Sequence, residues 1–114
     1  MPDKRREKRR QLIYYLRVVD RSTNQLVGQL VDITTEGIKL VSENSVEPET
    51  LYKLKMALPE EMENKKEISF DAVCQWCKRD INPNFYSIGF VFNKISNHDV
   101  NIIKNLIYEF SFRD

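Results

Sequence analysis

The chain has 114 residues, a formal net charge of +1, and 41% hydrophobic and 11% aromatic side chains. That length holds one domain and not two, and a chain of this size buries a modest core without disulfide or metal support. No apolar run is long enough to span a bilayer and the N-terminus lacks the apolar core of a signal peptide. Two cysteines make no disulfide framework, so the expectation is a cytoplasmic protein with no membrane insertion.

The charge is unevenly placed. Residues 1–10 hold six basic and two acidic side chains, a surplus of four positive charges against a whole-chain +1, so the remaining residues carry −3. Such a segment is most often a solvated tail, mobile without a ligand. A basic arm on a slightly acidic body also suits a local anionic ligand better than a nucleic acid coating the whole surface.

Residues 11–95 read as short strands separated by turns. Gln11 to Asp20 is rich in β-formers, with Leu12, Tyr14, Leu16 and Val18 on one face and Ile13, Tyr15 and Val19 on the other. Arg21 to Asn24 is a turn, and Gln25 to Ile33 returns. Ile38, Leu40 and Ser42 continue the sheet, and Glu43 to Thr50 is a polar loop. Leu51 to Leu58 puts Tyr52, Leu54, Met56 and Leu58 inward. After the charged loop of 59–66, Glu67 to Lys78 alternates most clearly: Ile68, Phe70, Ala72, Cys74 and Trp76 share one face. A turn through Pro83 leads to a partner strand with Tyr86, Ile88, Phe90 and Phe92 inward. Residues 96–114 change period. Ser96 and Asp99 resemble a capping box, and Val100, Ile103, Ile107 and Phe110, with Leu106 beside them, mark an amphipathic helix. The expected fold is all-β, a small six-stranded antiparallel barrel, which removes exposed edges by closure, with one C-terminal helix.

Two stretches carry the chemistry. Asp32 and Thr34 lie two apart at a strand end, on one face by alternation, and Thr35 and Glu36 turn into Gly37. Gly37 is expected to supply positive φ and a bare backbone. Arg6 and Arg10 sit four apart in the arm, two planar forks suited to phosphate oxygens or a guanine edge. The segments Arg6-Glu7-Lys8-Arg9-Arg10 and Asp32-Ile33-Thr34-Thr35-Glu36-Gly37 match RxxxR and [D/N]xSxxG in order and spacing. Together they resemble the PilZ domain, the bacterial receptor module for cyclic di-GMP, whose fold is also a six-stranded barrel with a C-terminal helix. Thr34 stands where that family usually has Ser, keeping the hydroxyl. The resemblance covers nearly the whole chain, including Tyr86 to Phe92, which looks like the family's late Gly-x-x-Phe strand.

The resemblance implies a ligand with two phosphates and two guanines. Arg6 and Arg10 would take phosphate and the O6/N7 guanine edge. Asp32 would accept from guanine N1–H and N2–H, Thr34 would add a hydroxyl contact, and Gly37 would admit the ligand to the backbone. Arg5 and Arg9 would add charge and stacking, and Arg5, just before the motif, bears on whether one ligand or a stacked pair is held. Trp76 is either a core aromatic or a barrel-mouth platform for a purine or arginine.

Other constellations carry less. Cys74 and Cys77, three apart on an extended strand, are expected to point to opposite faces, Cys74 into the core and Cys77 to the surface, and His98 is the only histidine. No nucleophile elbow, Walker loop or dinucleotide fingerprint is present, so neither metal nor catalysis is expected. The partners expected are cyclic di-GMP and an unknown downstream protein, with no nucleic acid, the chain being a monomer or weak dimer. A ligand-independent PilZ-like adaptor and, behind it, a nucleic-acid-binding barrel are the alternatives.

Overall fold

A computed structural model describes residues 16–62 and 65–110. Among these, six strands and one helix follow in order: β1 (Arg17–Asp20), β2 (Leu26–Ile33), β3 (Gly37–Ser42), β4 (Leu51–Ala57), β5 (Glu67–Arg79), β6 (Tyr86–Lys94) and α1 (Asn97–Phe110). The pairings are antiparallel and close the sheet in the order β1-β2-β3-β6-β5-β4, with β1 returning to β4. This is the barrel and terminal helix that the period-two segments and the change of period led us to expect. Residues 11–15 of the first predicted strand, and the arm with Arg5, Arg6, Arg9 and Arg10, lie outside the described residues.

The core follows from alternation. Leu30, Leu40, Leu54, Met56, Ile68 and Ile88 are fully or almost fully buried, one apolar side chain at every second position of its strand. Phe90, 2% exposed, meets Tyr52 edge-on at 5.7 Å between centroids, and Phe70 meets Phe92 the same way at 4.9 Å. Tyr52, Tyr86 and Phe92, expected inward, pack half-buried against the core's margin.

Between β5 and β6 the turn is held by its own polar groups. Asp80 accepts from the Ser87 hydroxyl at 2.6 Å and from the Asn82 amide, which hold its carboxyl below the usual carboxylate range. Around this end, Arg79 donates to the Pro83 carbonyl and lies over the Tyr86 ring.

The helix starts where Ser96 caps it: the Asp99 amide donates to Ser96 Oγ at 3.1 Å. The reciprocal half of the expected capping box is absent, because the buried Asp99 carboxylate instead accepts from Lys65 Nζ at 2.8 Å. The helix's fully buried side chains are Ile103 and Leu106, both in the expected stripe, with Val100 and Ile107 half-buried beside them and Ile102 joining from the flank. Ser96→Ala removes the cap and is expected to lower the unfolding free energy by about 1 kcal/mol, read from urea denaturation midpoints at unchanged slope. No helix among the described residues is long and apolar enough to cross a membrane.

Candidate functional site

The site is built at two places where alternation fails. On β2, Leu30 pairs with Leu40, but the next pair is Asp32 with Lys39, so Val31 is an extra residue in a bulge. Strict alternation after Leu30 would send Asp32 into the barrel, where an unpaired carboxylate is costly. The bulge resets the phase: Asp32 stands outside and Ile33, 1% exposed, enters the core.

On β5 the same device acts on the tryptophan. Cys74 pairs with Phe90 and Trp76 with Gly89, leaving Gln75 as the extra residue. Alternation had placed Trp76 on the core face with Cys74. The bulge overturns that, and Trp76 is 37% exposed on the outside of the barrel. Its indole lies flat against Gly89, where an added Cβ would collide with ring atoms Cε2, Nε1 and Cζ2. Lys78 Nζ stands 5.2 Å from the ring centroid.

The bulge also corrects the cysteines. Past Gln75 the phase has flipped, so Cys77, paired with Ile88, turns inward and packs half-buried against the core that holds Cys74. The two thiols do not face opposite ways. Burial first, and then Cys77, push the Cys74 thiol above its ordinary pKa, the reverse of what a reactive thiolate needs. Both are free, and among the described residues no group of three or more His, Cys, Asp or Glu is placed to hold a metal.

The turn after β2 is tied at three points. The Thr34 amide donates to the Gly37 carbonyl at 2.9 Å, the Glu36 amide donates to Thr34 Oγ1 at 3.1 Å, and the Phe92 amide donates to the Glu36 carbonyl at 2.9 Å. The Thr34 hydroxyl hydrogen remains available to a ligand, since only its oxygen is used. Gly37 is not where positive φ is needed: no described glycine has it. Its requirement is steric, because a Cβ there would run into the backbone carbonyl of Phe90 on β6.

These residues converge. Asp32 pairs with Lys39, Lys39 with Gly89, and Gly89 with Trp76, so one row crosses β2, β3, β6 and β5 on the outer face. A groove of about 240 Å³ runs along it, lined by Asp32, Thr34, Gly37 and Trp76 and also by Glu36, Lys39, Gln75 and Val91. Of the expected site residues, the structure brings these first four together; the four arginines are outside the described residues. Lys39 and Gln75 escaped sequence reasoning. The signal for Lys39 is its register opposite Asp32, and for Gln75 its place in the bulge, and neither is visible without the strand pairing. Asp32, Glu36 and Lys39 leave the lining with one net negative charge, so a polyanionic ligand seated here needs cations from elsewhere in the chain.

The PilZ domain family model matches residues 3–109. A search among curated proteins finds no match. Among solved structures, the chain is similar to the Bacillus subtilis inhibitor of motility MotI/DgrA, with a TM-score of 0.65 and 17% sequence identity. The alignment covers 83% of this chain and 46% of that one, so the chain spans about half the length of its structural relative. Likeness at this identity carries the barrel-and-helix fold.

Proposed function

The chain belongs to the PilZ domain family, and from that premise we propose that it binds cyclic di-GMP in the Asp32–Trp76 groove, with the Arg6–Arg10 arm closing over the ligand. The observation that carries this reading is the cross-strand row. It gathers an exposed carboxylate, a hydroxyl, a backbone without a side chain and an indole face into one groove. Asp32 accepts from the paired N–H donors of a guanine edge, Thr34 donates its hydroxyl, and the outer face of Trp76 takes a purine as the flexible Lys78 side chain moves off it. The groove supplies no surplus of cations for two phosphates, and the arm does.

Chain entry supports the arm's part. The Leu16 carbonyl accepts from the Leu30 amide at 2.8 Å, so the chain joins the barrel beside the β2 bulge, two residues from Asp32. Arg10 is six residues upstream, an extended reach of about 20 Å, ample to return to the groove. Fixing backbone costs roughly 1–2 kcal/mol per residue, and several charge-assisted bonds at about 1.5–3 kcal/mol each exceed that for a short segment. The ordered arm then presents a new surface to a downstream protein.

Calorimetric titration with cyclic di-GMP, cyclic di-AMP, GTP and single-stranded DNA tests the reading. Cyclic di-GMP is expected to bind at least about tenfold more tightly than any other, because two guanine edges and two phosphates are recognised at once. Equal affinities with a steep salt dependence would mean nucleic-acid binding instead. No binding at all would mean an adaptor working by protein contact.

A further inference from the structure

Towards the opposite end of β5 and β6 lies a second cross-strand row. Lys53 of β4 pairs with Asp71 of β5, and Asp71 pairs with Lys94 of β6. The Arg21 amide donates to the Lys53 carbonyl at 2.8 Å, which sets Arg21 at the end of the row. These four residues, with Ser69 and Ser96, line a groove of about 360 Å³ that shares no residue with the nucleotide groove.

The charges in it do not cancel. Asp71 is taken by Arg21 at 2.5 Å, and the buried Asp99, also in the lining, by Lys65 at 2.8 Å. Among the described residues, Lys53 and Lys94 have no carboxylate within 4.0 Å. Every lining carboxylate is therefore already paired, and two ammonium groups are left over. This stands out on a chain that carries −3 beyond its first ten residues. The Ser96 hydroxyl accepts from the Asp99 amide and still has its own hydrogen to donate.

We propose that this groove docks an acidic segment of a partner protein, whose carboxylates are received by Lys53 and Lys94. The hydrogen-bonding pattern favours a peptide. Asp71 stands between the two lysines with Oδ1 held by Arg21, and among the described residues its Oδ2 has no hydrogen bond, so the row offers an acceptor flanked by two donors. The phosphates of a nucleic-acid backbone are acceptors only and have no hydrogen to give that oxygen. An acidic peptide places a neutral residue or an N–H there and its carboxylates to either side.

The test is an NMR titration of ¹⁵N-labelled full chain with hexaglutamate peptide, beside inorganic phosphate and a deoxyoligonucleotide at matched charge. The expected result is saturable shifts confined to Lys53, Ser69, Asp71, Lys94 and Ser96, with hexaglutamate the tightest probe. The Lys53→Glu/Lys94→Glu double variant is expected to weaken hexaglutamate at least about tenfold, with cyclic di-GMP affinity and melting temperature unchanged. If that variant does not fold, Lys53→Gln/Lys94→Gln is expected to weaken the peptide in the same direction. Shifts spread over all lysines, an equal or tighter response to phosphate or oligonucleotide, or undiminished peptide affinity in the folded variants would each overturn the proposal. The readout is separate from nucleotide binding, so failure here leaves the nucleotide reading untouched.

Discussion

Asp32→Ala is expected to leave the barrel folded and to weaken cyclic di-GMP binding by roughly a hundredfold. The carboxylate is exposed, and among the described residues the hydrogen bond it gives the fold is the one it accepts from the Ile33 amide at 2.9 Å. Losing that bond costs about 1 kcal/mol at most. The ligand loses more. Two charge-assisted bonds from one guanine edge, net of the water that replaces them, are worth about 3 kcal/mol, which is two decades at 1.4 kcal/mol each. Arg10→Ala is expected to cost a similar factor from the other side of the ligand. Calorimetry gives the affinities, and thermal unfolding with and without nucleotide gives the linked stabilisation, which at saturating ligand should fall by about 2.7 kcal/mol in both variants. Unchanged affinity in both would remove the nucleotide from this groove.

Why Asp32 is reachable at all was only partly legible in the sequence. Strand positions, turns and the terminal helix follow from periodicity, and the inward sets on β3, β4 and the first half of β5 hold because alternation there is unbroken. What alternation cannot report is an inserted residue. Val31 and Gln75 have nothing unusual as residue types; each becomes extra only because its strand is paired with a neighbour one residue shorter. Both bulges lie beneath the groove, and each swings one side chain, Asp32 or Trp76, out of a core that period two would have given it. The motif was thus readable as a set of residues, while its geometry depended on pairing. Lys39 and the inward turn of Cys77 were missed for the same reason. The Lys65–Asp99 pair at the helix start was missed for a different cause: it joins residues 34 apart and leaves no local trace.

The two glycines of the site separate stability from recognition, because an added methyl meets different matter at each. At Gly37 the obstacle is the Phe90 carbonyl, backbone paired one step in from the end of the β3–β6 ladder, which cannot swing aside as a side chain could. Gly37→Ala is therefore expected to destabilise the barrel by about 1–3 kcal/mol, the usual cost of overpacking, offset only in part by the fraction of a kcal/mol that alanine recovers in the unfolded chain. At Gly89 the obstacle is the Trp76 ring, a side chain already 37% exposed and free to move outward. Gly89→Ala is expected to change stability by less than about 1 kcal/mol, to shift Trp76 fluorescence to the red, and to weaken the nucleotide about tenfold by breaking the row between Lys39 and the indole. Denaturant curves followed by far-UV dichroism, with tryptophan emission and calorimetry on the same samples, distinguish the two. A Gly37 variant as stable as the parent would mean that β3 and β6 are not held in the register that carries Lys39 between Asp32 and Gly89. The whole row rests on that register.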